Sequence, residues 1–364
     1  MSAVGTHVRI LGTGLIGTSL GIALCRAEFR VTLSDPSPTA ARLARDLGAG
    51  EIASASTGDP PDLVVVAAPP DVAAQVVLDA LATWPDAIVT DVASVKGAVA
   101  HAVRDGGGDL ARYVGSHPMA GRERSGAGAA RGDLFEGRAW VIVPTEGSRP
   151  EAVEQVRQIA VAAGSAVSVM DAAEHDAAVA VVSHVPQLAA SLVASRLREV
   201  PDPAVALAGQ GLRDVTRIAA SDPLLWTQIL AGNAAAVRDV LVAMRADLDE
   251  VITALETLAH GDGRGALEVV NRTVGNGNAG HARIPGKHGA PPTAYETVVV
   301  VVPDTPGALG RLLTDMGEAG VNLEDLHLDH GLGQPFGLAE VSVLPSAVDR
   351  LLAALDERGW RVHD

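Results

Sequence analysis

Apolar and polar positions follow two different periods along this 364-residue chain. Over residues 7–169, short β-branched runs recur between longer stretches of helical period: Val8-Arg9-Ile10-Leu11, Val31-Thr32-Leu33, Leu63-Val64-Val65-Val66, Ile88-Val89-Thr90 and Trp140-Val141-Ile142-Val143. Near-continuous apolar strands alternating with helices predict a parallel sheet covered on both faces. From Ala172 to about Leu258 the strand signal disappears, and residues 174–199, 224–259 and the stretch between them read as long helices. Residues 259–292 gather glycines, Asn276, Asn278 and three prolines around one short helical piece, the pattern of a mobile connection. Beyond Pro292 the pattern predicts strand (295–302), helix (308–319), strand (321–330), strand (336–344), helix (347–358) and strand (361–363). That order, βαββαβ, is a ferredoxin-like unit.

The expected fold class is therefore α/β of the Rossmann type, then an all-helical domain, then a ferredoxin-like one. The expected boundaries are 1–170, 171–285, a linker at 286–292, and 293–364. Length agrees, because a chain of this size exceeds one hydrophobic core. Hydrophobic residues make up 48% but aromatics only 2%, so the cores must be built from Ala, Val and Leu. A formal net charge of −16 would repel a nucleic-acid backbone or an anionic membrane, and no Lys/Arg block offsets it. Cys25 is the single cysteine and sits after an apolar run, which points to a structural thiol in a reducing compartment. The N-terminus lacks a signal-peptide pattern, and no uninterrupted apolar run approaches the roughly 18 residues of a membrane span. The expected location is the cytoplasm.

The first run leads directly into Gly12-Thr13-Gly14-Leu15-Ile16-Gly17, which opens a helix. Gly12 permits the tight turn, Gly14 lets a pyrophosphate approach the backbone, and Gly17 allows close helix–strand packing, while Leu15 and Ile16 begin the helix whose N–H groups face the phosphates. Asp35 ends the second run, where a carboxylate accepts from ribose hydroxyls and repels a 2′-phosphate. The expected cofactor is NAD; the competing role for Asp35 is a turn or helix cap before Pro36. Ala67-Ala68-Pro69-Pro70 either leaves room beside the cofactor or simply ends a strand.

Four polar clusters remain: Asp91-Val92-Ala93-Ser94-Val95-Lys96-Gly97; Gly115-Ser116-His117-Pro118-Met119-Ala120-Gly121-Arg122-Glu123, read as a proline-stiffened loop after a strand; Ser183-His184-Val185-Pro186-Gln187, interrupting a long apolar helix; and Arg213-Asp214-Val215-Thr216-Arg217-Ile218, followed by Ser221-Asp222-Pro223 and Trp226. Each has an ordinary reading: Ser94 as a helix cap, His184 as a core histidine, Arg217 as an i,i+3 partner of Asp214, Glu123 as a solvated loop acid. In this order and spacing they resemble the prephenate/arogenate dehydrogenase family over roughly residues 7–285. The resemblance implies that His117 is the catalytic group, that Ser94 orients it, that Arg217 binds the substrate's ring carboxylate, and that His184 lines the pocket. It implies a gating role for Glu123, and places Arg213, Asp214 and Trp226 near the pocket across a homodimer interface.

The implied reaction needs such groups. Hydride leaves C4 of prephenate as the ring aromatises and CO₂ departs, so a neutral imidazole accepting from the C4 hydroxyl binds the transition state more strongly than the ground state. A guanidinium offers a planar fork for a carboxylate. Arogenate is the alternative substrate, and a non-catalytic NAD and amino-acid sensor is the alternative class. A β-hydroxyacid dehydrogenase would require a helical lysine that residues 174–199 lack. Val302-Pro303-Asp304-Thr305-Pro306-Gly307-Ala308-Leu309 and Gly320-Val321-Asn322-Leu323 resemble the ACT domain, which implies an effector site at Asp304, Gly307, Ala308 and Asn322, with tyrosine as the effector. His327, Asp329 and His330 suggest no metal, because strand alternation sends His327 and His330 to opposite faces.

Overall fold

The computed structural model describes residues 5–53, 60–121, 126–261, 263–284, 295–330 and 335–363. Glu123 and the expected linker at 286–292 lie outside them. The chain forms two compact units, residues 1–249 and 250–364.

The first unit opens with β1 (His7–Leu11), α1 (Leu15–Arg26), β2 (Arg30–Ser34), α2 (Pro38–Asp46), β3 (Glu51–Ile52), β4 (Leu63–Val66) and α3 (Pro70–Thr83). It continues with β5 (Ile88–Asp91), α4 (Gly97–Asp105), β6 (Tyr113–Pro118), β7 (Ala139–Pro144), α5 (Pro150–Ala162) and β8 (Ala166–Val169). The strands form one sheet in the order β3-β2-β1-β4-β5-β6-β7-β8, with β1 parallel to both of its neighbours, β2 and β4, and the strand order reversing at that point. Strand β4 shows why the apolar run is continuous. Leu63 and Val65 join the core under α1 and α5, whereas Val64 and Val66 join the core under α3 and α4.

Two features depart from the sequence pattern. Strand β7 runs antiparallel to β6, with β8 parallel to β7, so the sheet is parallel only from β3 to β6. No crossover helix of useful length joins β6 to β7 among the described residues, and without one a returning strand pairs antiparallel. His117 consequently stands in β6, opposite Val141, rather than in a loop.

The helical region contains α6 (Ala172–Val179), a π-helical turn (Ala180–His184), α7 (Val185–Arg196), α8 (Asp202–Val205), α9 (Gln210–Thr216), α10 (Pro223–Gly232) and α11 (Ala234–Ala259). Asp171 and Glu174 form a capping box at the start of α6, each side chain bonding the other's backbone N–H. Pro186 sits in the first turn of α7, where its missing N–H costs little, so the expected interruption of this helix is a widened turn instead of a break. The run Ala172–Glu199 is apolar and long enough to cross a bilayer by length and composition, yet it carries the buried polar groups His175 and His184.

In the second unit, α12 (Arg264–His281) is longer than the glycine-rich sequence predicts. Gly275 and Gly277 each lower helix propensity by about 1 kcal/mol without interrupting the hydrogen-bond ladder. Then follow β9 (Glu296–Pro303), α13 (Ala308–Glu318), β10 (Asp325–His330), β11 (Phe336–Val343), α14 (Val348–Glu357) and β12 (Arg361–His363). The four strands form an antiparallel sheet in the order β10-β11-β9-β12. Val298, Val300 and Val302 share a core with Leu312 and Met316 of α13 and Leu351 and Leu355 of α14, so both helices cover one face. Strand β10 starts later than predicted because Val321 N–H still closes the end of α13 on Met316 O at 3.1 Å, with Gly320 in the left-handed region.

Candidate active site

The glycine turn after β1 is shaped by close approach. Gly12 has φ +103°, and a Cβ there would stand 2.4 Å from Ala67 O; one on Gly17 would stand 2.0 Å from Gly12 O. Gly14, by contrast, faces open space, with nothing within 4 Å of where its Cβ would be. The same residue precedes α1, whose N-terminus has no side-chain cap. An open backbone beside uncapped N–H groups fits a dinucleotide pyrophosphate. Asp35 stands at the end of β2, where its Oδ2 accepts from Thr13 N at 2.7 Å and Thr13 Oγ1 at 3.0 Å, and its Oδ1 from Ser37 N at 2.7 Å. These contacts hold the carboxylate beside the glycine turn.

Farther along the same sheet edge is a cavity of about 370 Å³, lined by Ser94, His117, His184, Gln187, Trp226 and apolar neighbours including Val182, Ile218 and Leu225. Strand β5 delivers Ser94, β6 delivers His117, the π-helical turn delivers His184, and α10 delivers Trp226. Residues far apart in sequence thus meet. The His184 and Trp226 rings meet edge to face with centroids 6.0 Å apart. Asn233 Nδ2 donates to Asp176 O at 2.7 Å and lies 3.2 Å from His184 Nδ1. An amide N–H facing His184 Nδ1 leaves the ring proton on Nε2, so His184 can donate from that atom.

His117 Nδ1 lies 2.9 Å from His175 Nε2, and His175 Nδ1 lies 2.8 Å from Asp176 Oδ1. The hydrogen bond at His117 Nδ1 therefore comes from the helical region; Ser94 shares the cavity wall. Behind His117, buried Lys96 donates to Asp91 Oδ1 and, at 2.8 Å, to Ser116 O, while Tyr113 Oη donates to Asp91 Oδ2 at 2.7 Å. Burial pushes the His117 pKa well below the ordinary imidazole value, and nearby His175, Lys96 and His184 push it the same way. Burial also lowers His184, against the opposing pull of Asp176. For Asp176, burial favours the neutral acid, but the hydrogen bonds from His175 and from the Lys96 and Gly97 N–H groups outweigh it and keep the carboxyl below its usual range. The cavity thus presents a neutral base backed by an anion.

Arg213 and Asp214 are exposed on α9, where Asp214 Oδ1 accepts from Gln210 Nε2 at 2.8 Å. Arg217 is exposed in the turn that carries Ile218 into the cavity wall. In the second unit, Asp304, Gly307 and Ala308 occupy the β9–α13 turn, Gly307 with φ +86°, and Asn322 Nδ2 donates to Glu324 Oε1 at 2.8 Å. Among the described residues no cluster of His, Cys, Asp and Glu could hold a metal. His175, Asp176, Asn233 and Tyr113 were not foreseen as members of the site. The adjacent His-Asp pair at the start of an apolar helix was the available signal for the first two.

Comparison with known proteins agrees with this geometry. The chain matches the nucleotide-binding domain of prephenate dehydrogenase over residues 20–169 and the prephenate dehydrogenase dimerization domain over 171–267. It is 38% identical to the Probable prephenate dehydrogenase NovF of Streptomyces niveus, over 96% of this chain and 98% of that one. A solved prephenate dehydrogenase from A. aeolicus, in complex with hydroxyphenyl propionate and NAD+, is 27% identical with a TM-score of 0.64, covering 74% of this chain and 98% of the other. Synechocystis arogenate dehydrogenase is 26% identical with a TM-score of 0.63, covering 75% and 99%. With both family domains matched in order and one relative aligned almost end to end, the chain belongs to the prephenate dehydrogenase family.

Proposed function

We propose that the protein is an NAD-dependent oxidoreductase that converts prephenate to 4-hydroxyphenylpyruvate in tyrosine biosynthesis, in the cytoplasm. The observation that carries this reading is the position of His117, whose imidazole lines a largely apolar cavity at the same sheet edge as the glycine turn. From β1 to β5 and β6 is two to three strand spacings, about 10–14 Å, a span suited to the nicotinamide half of a dinucleotide. When bound, NAD+ supplies the hydride acceptor. His117 takes the proton of the C4 hydroxyl as that oxygen gains carbonyl character, a contribution of about 10²–10⁴-fold for a positioned acid–base group. Ser94 helps orient His117, His184 donates from Nε2, and Arg217 pairs with the ring carboxylate until it leaves as CO₂. Trp226 and the apolar wall exclude water from the ring. Glu123 has the gating role, and Arg213 and Asp214 approach the pocket across the homodimer interface.

Initial rates of NADH formation with prephenate or arogenate test the reading. Turnover with prephenate is expected; turnover with arogenate alone would move the substrate to the amino analogue, as the name of the Synechocystis relative suggests. No turnover with either would revive the sensor reading.

The dimerization-domain match and the exposed apolar helices support a homodimer. The βαββαβ order and strand order of the C-terminal sheet support a ferredoxin-like, ACT-like module, with tyrosine bound near Asp304, Gly307, Ala308 and Asn322 as a feedback effector. Rates measured with and without tyrosine test that role.

A further inference from the structure

The reaction as described uses only one edge of the His117 ring. The other edge continues into a buried chain of groups. His117 and His175 meet edge to face, with ring centroids 5.1 Å apart and 2.9 Å between Nδ1 and Nε2. His175 is completely buried, and its Nδ1 lies 2.8 Å from Asp176 Oδ1. The Asp176 carboxylate also accepts from Lys96 N at 2.9 Å and Gly97 N at 2.8 Å, the N–H groups that open α4. Helix starts of this kind favour an anion.

Proton positions follow from valence. A carboxylate can only accept, so His175 Nδ1 carries a proton. Neutral His175 then has its lone pair on Nε2, facing His117. His117 Nδ1 must therefore be the donor, and Nε2 is the one basic nitrogen it can offer the cavity. This is the logic by which a carboxylate fixes a catalytic histidine directly, here extended through a second imidazole.

We propose that His175 and Asp176 form a proton relay: they hold His117 in the tautomer with a basic Nε2 and take over the charge it acquires in the reaction. As Nε2 accepts the substrate hydroxyl proton, the Nδ1 proton passes to His175 Nε2. One proton enters His117 and one leaves, so His117 ends neutral in the opposite tautomer and the positive charge rests on His175 against Asp176. No electron is transferred in this step. NAD+, when bound, would supply the hydride acceptor.

The alternative, an imidazolium left on His117, is opposed by burial and by the charges facing it. Lys96 approaches from the β5–α4 turn, with Asp91 and Tyr113 binding it from β5 and β6, and His184 approaches from the π-helical turn. Moving the charge one ring away places it in a charge-assisted hydrogen bond with an anion that α4 already stabilises. His175 and Asp176 are thus positioning residues, acting through His117.

The relay rests on the reading of His117 as the base, so the first measurement is one that needs no turnover. Histidine ¹⁵N NMR of the full chain with NAD+ bound is expected to show His117 and His175 both protonated on Nδ1 and free on Nε2, with signals assigned by His117→Asn and His175→Gln. His117 protonated on Nε2 would overturn the relay whatever the substrate proves to be. In kinetics, Asp176→Asn is expected to lower kcat by about 10²-fold or more while KM for prephenate and Kd for NAD+ stay within about threefold. Removing the anion should also move the acidic limb of kcat/KM to lower pH, and Asp176→Glu should restore part of kcat. An Asp176→Asn enzyme with unchanged kcat and pH profile would overturn the proposal; if that variant does not fold, the tautomer measurement decides.

Discussion

The sheet layer and the helical layer of the first unit build one cavity but are completed in different ways. Around the sheet, Trp140, Phe135 and Tyr113 are fully buried, and the central strands β4 and β5 are covered on both faces. The helical layer has a small core of its own around Ala180, Val185 and Val237, and leaves Val182, Leu192, Leu207 and Leu224 at 62–83% exposure or thereabouts, Leu207 highest at 83%. Exposed apolar surface on that scale marks an interaction face. The comparison teaches a division of labour. His117 is anchored to the sheet, whereas His175, Asp176 and the cavity walls at His184 and Trp226 belong to the layer with the exposed apolar surface.

That contrast can be broken by substitution. The largest effect should follow His117→Asn, which is expected to lower kcat by about 10²–10⁴-fold with NAD+ binding retained, measured by steady-state rates and fluorescence titration. Next, Phe135→Ala in the sheet core should cost about 3–5 kcal/mol in a denaturant melt. Leu207→Glu should leave the denaturation midpoint of the monomer within about 0.5 kcal/mol but shift sedimentation toward the monomer. If Leu207→Glu sedimented as the parent does, the exposed helical face around it would need another explanation.

A smaller effect is expected from pH. With His117 as the proposed base, its pKa depressed by burial and by the neighbouring His175, Lys96 and His184, activity should be lost only as pH falls well below the ordinary imidazole value of about 6.5. A pH profile of kcat/KM checks this. An acidic limb at or above that value would place the critical proton elsewhere. The smallest change should come from Gly307→Val, whose side chain is strained at φ +86°; reduced inhibition by tyrosine would connect that turn to the effector response.

Legibility in the sequence divided along the same line. Strands β1, β2, β4, β5 and β7 and the glycine turn could be read because local pattern determines them: a buried strand needs apolar residues on both faces, and a tight turn at positive φ needs Gly12. The direction of β7 could not, since it depends on how the chain returns after Pro118. The role of His175 and Asp176 was hidden for a similar reason. The adjacent His-Asp pair after the Asp171 cap was visible, but its partners stand 58 and 80 residues away, at His117 and Lys96. The length of α12 was underestimated because propensity counts each glycine against a helix, whereas a formed hydrogen-bond ladder tolerates them singly.

The widened turn at Ala180–His184 has a consequence for how this protein can change over time. A π turn holds one residue more than an α turn, so deleting any one of Ala180, Val181 or Val182 would let the helix close into regular α form. The segment before it would then rotate by about 100° relative to the segment after it. Such a deletion removes no polar residue and barely alters composition, yet it would aim His175 away from His117 while His184 kept its place. The working arrangement is therefore recorded in the count of residues as much as in their identity, and a scan of substitutions alone would pass over it.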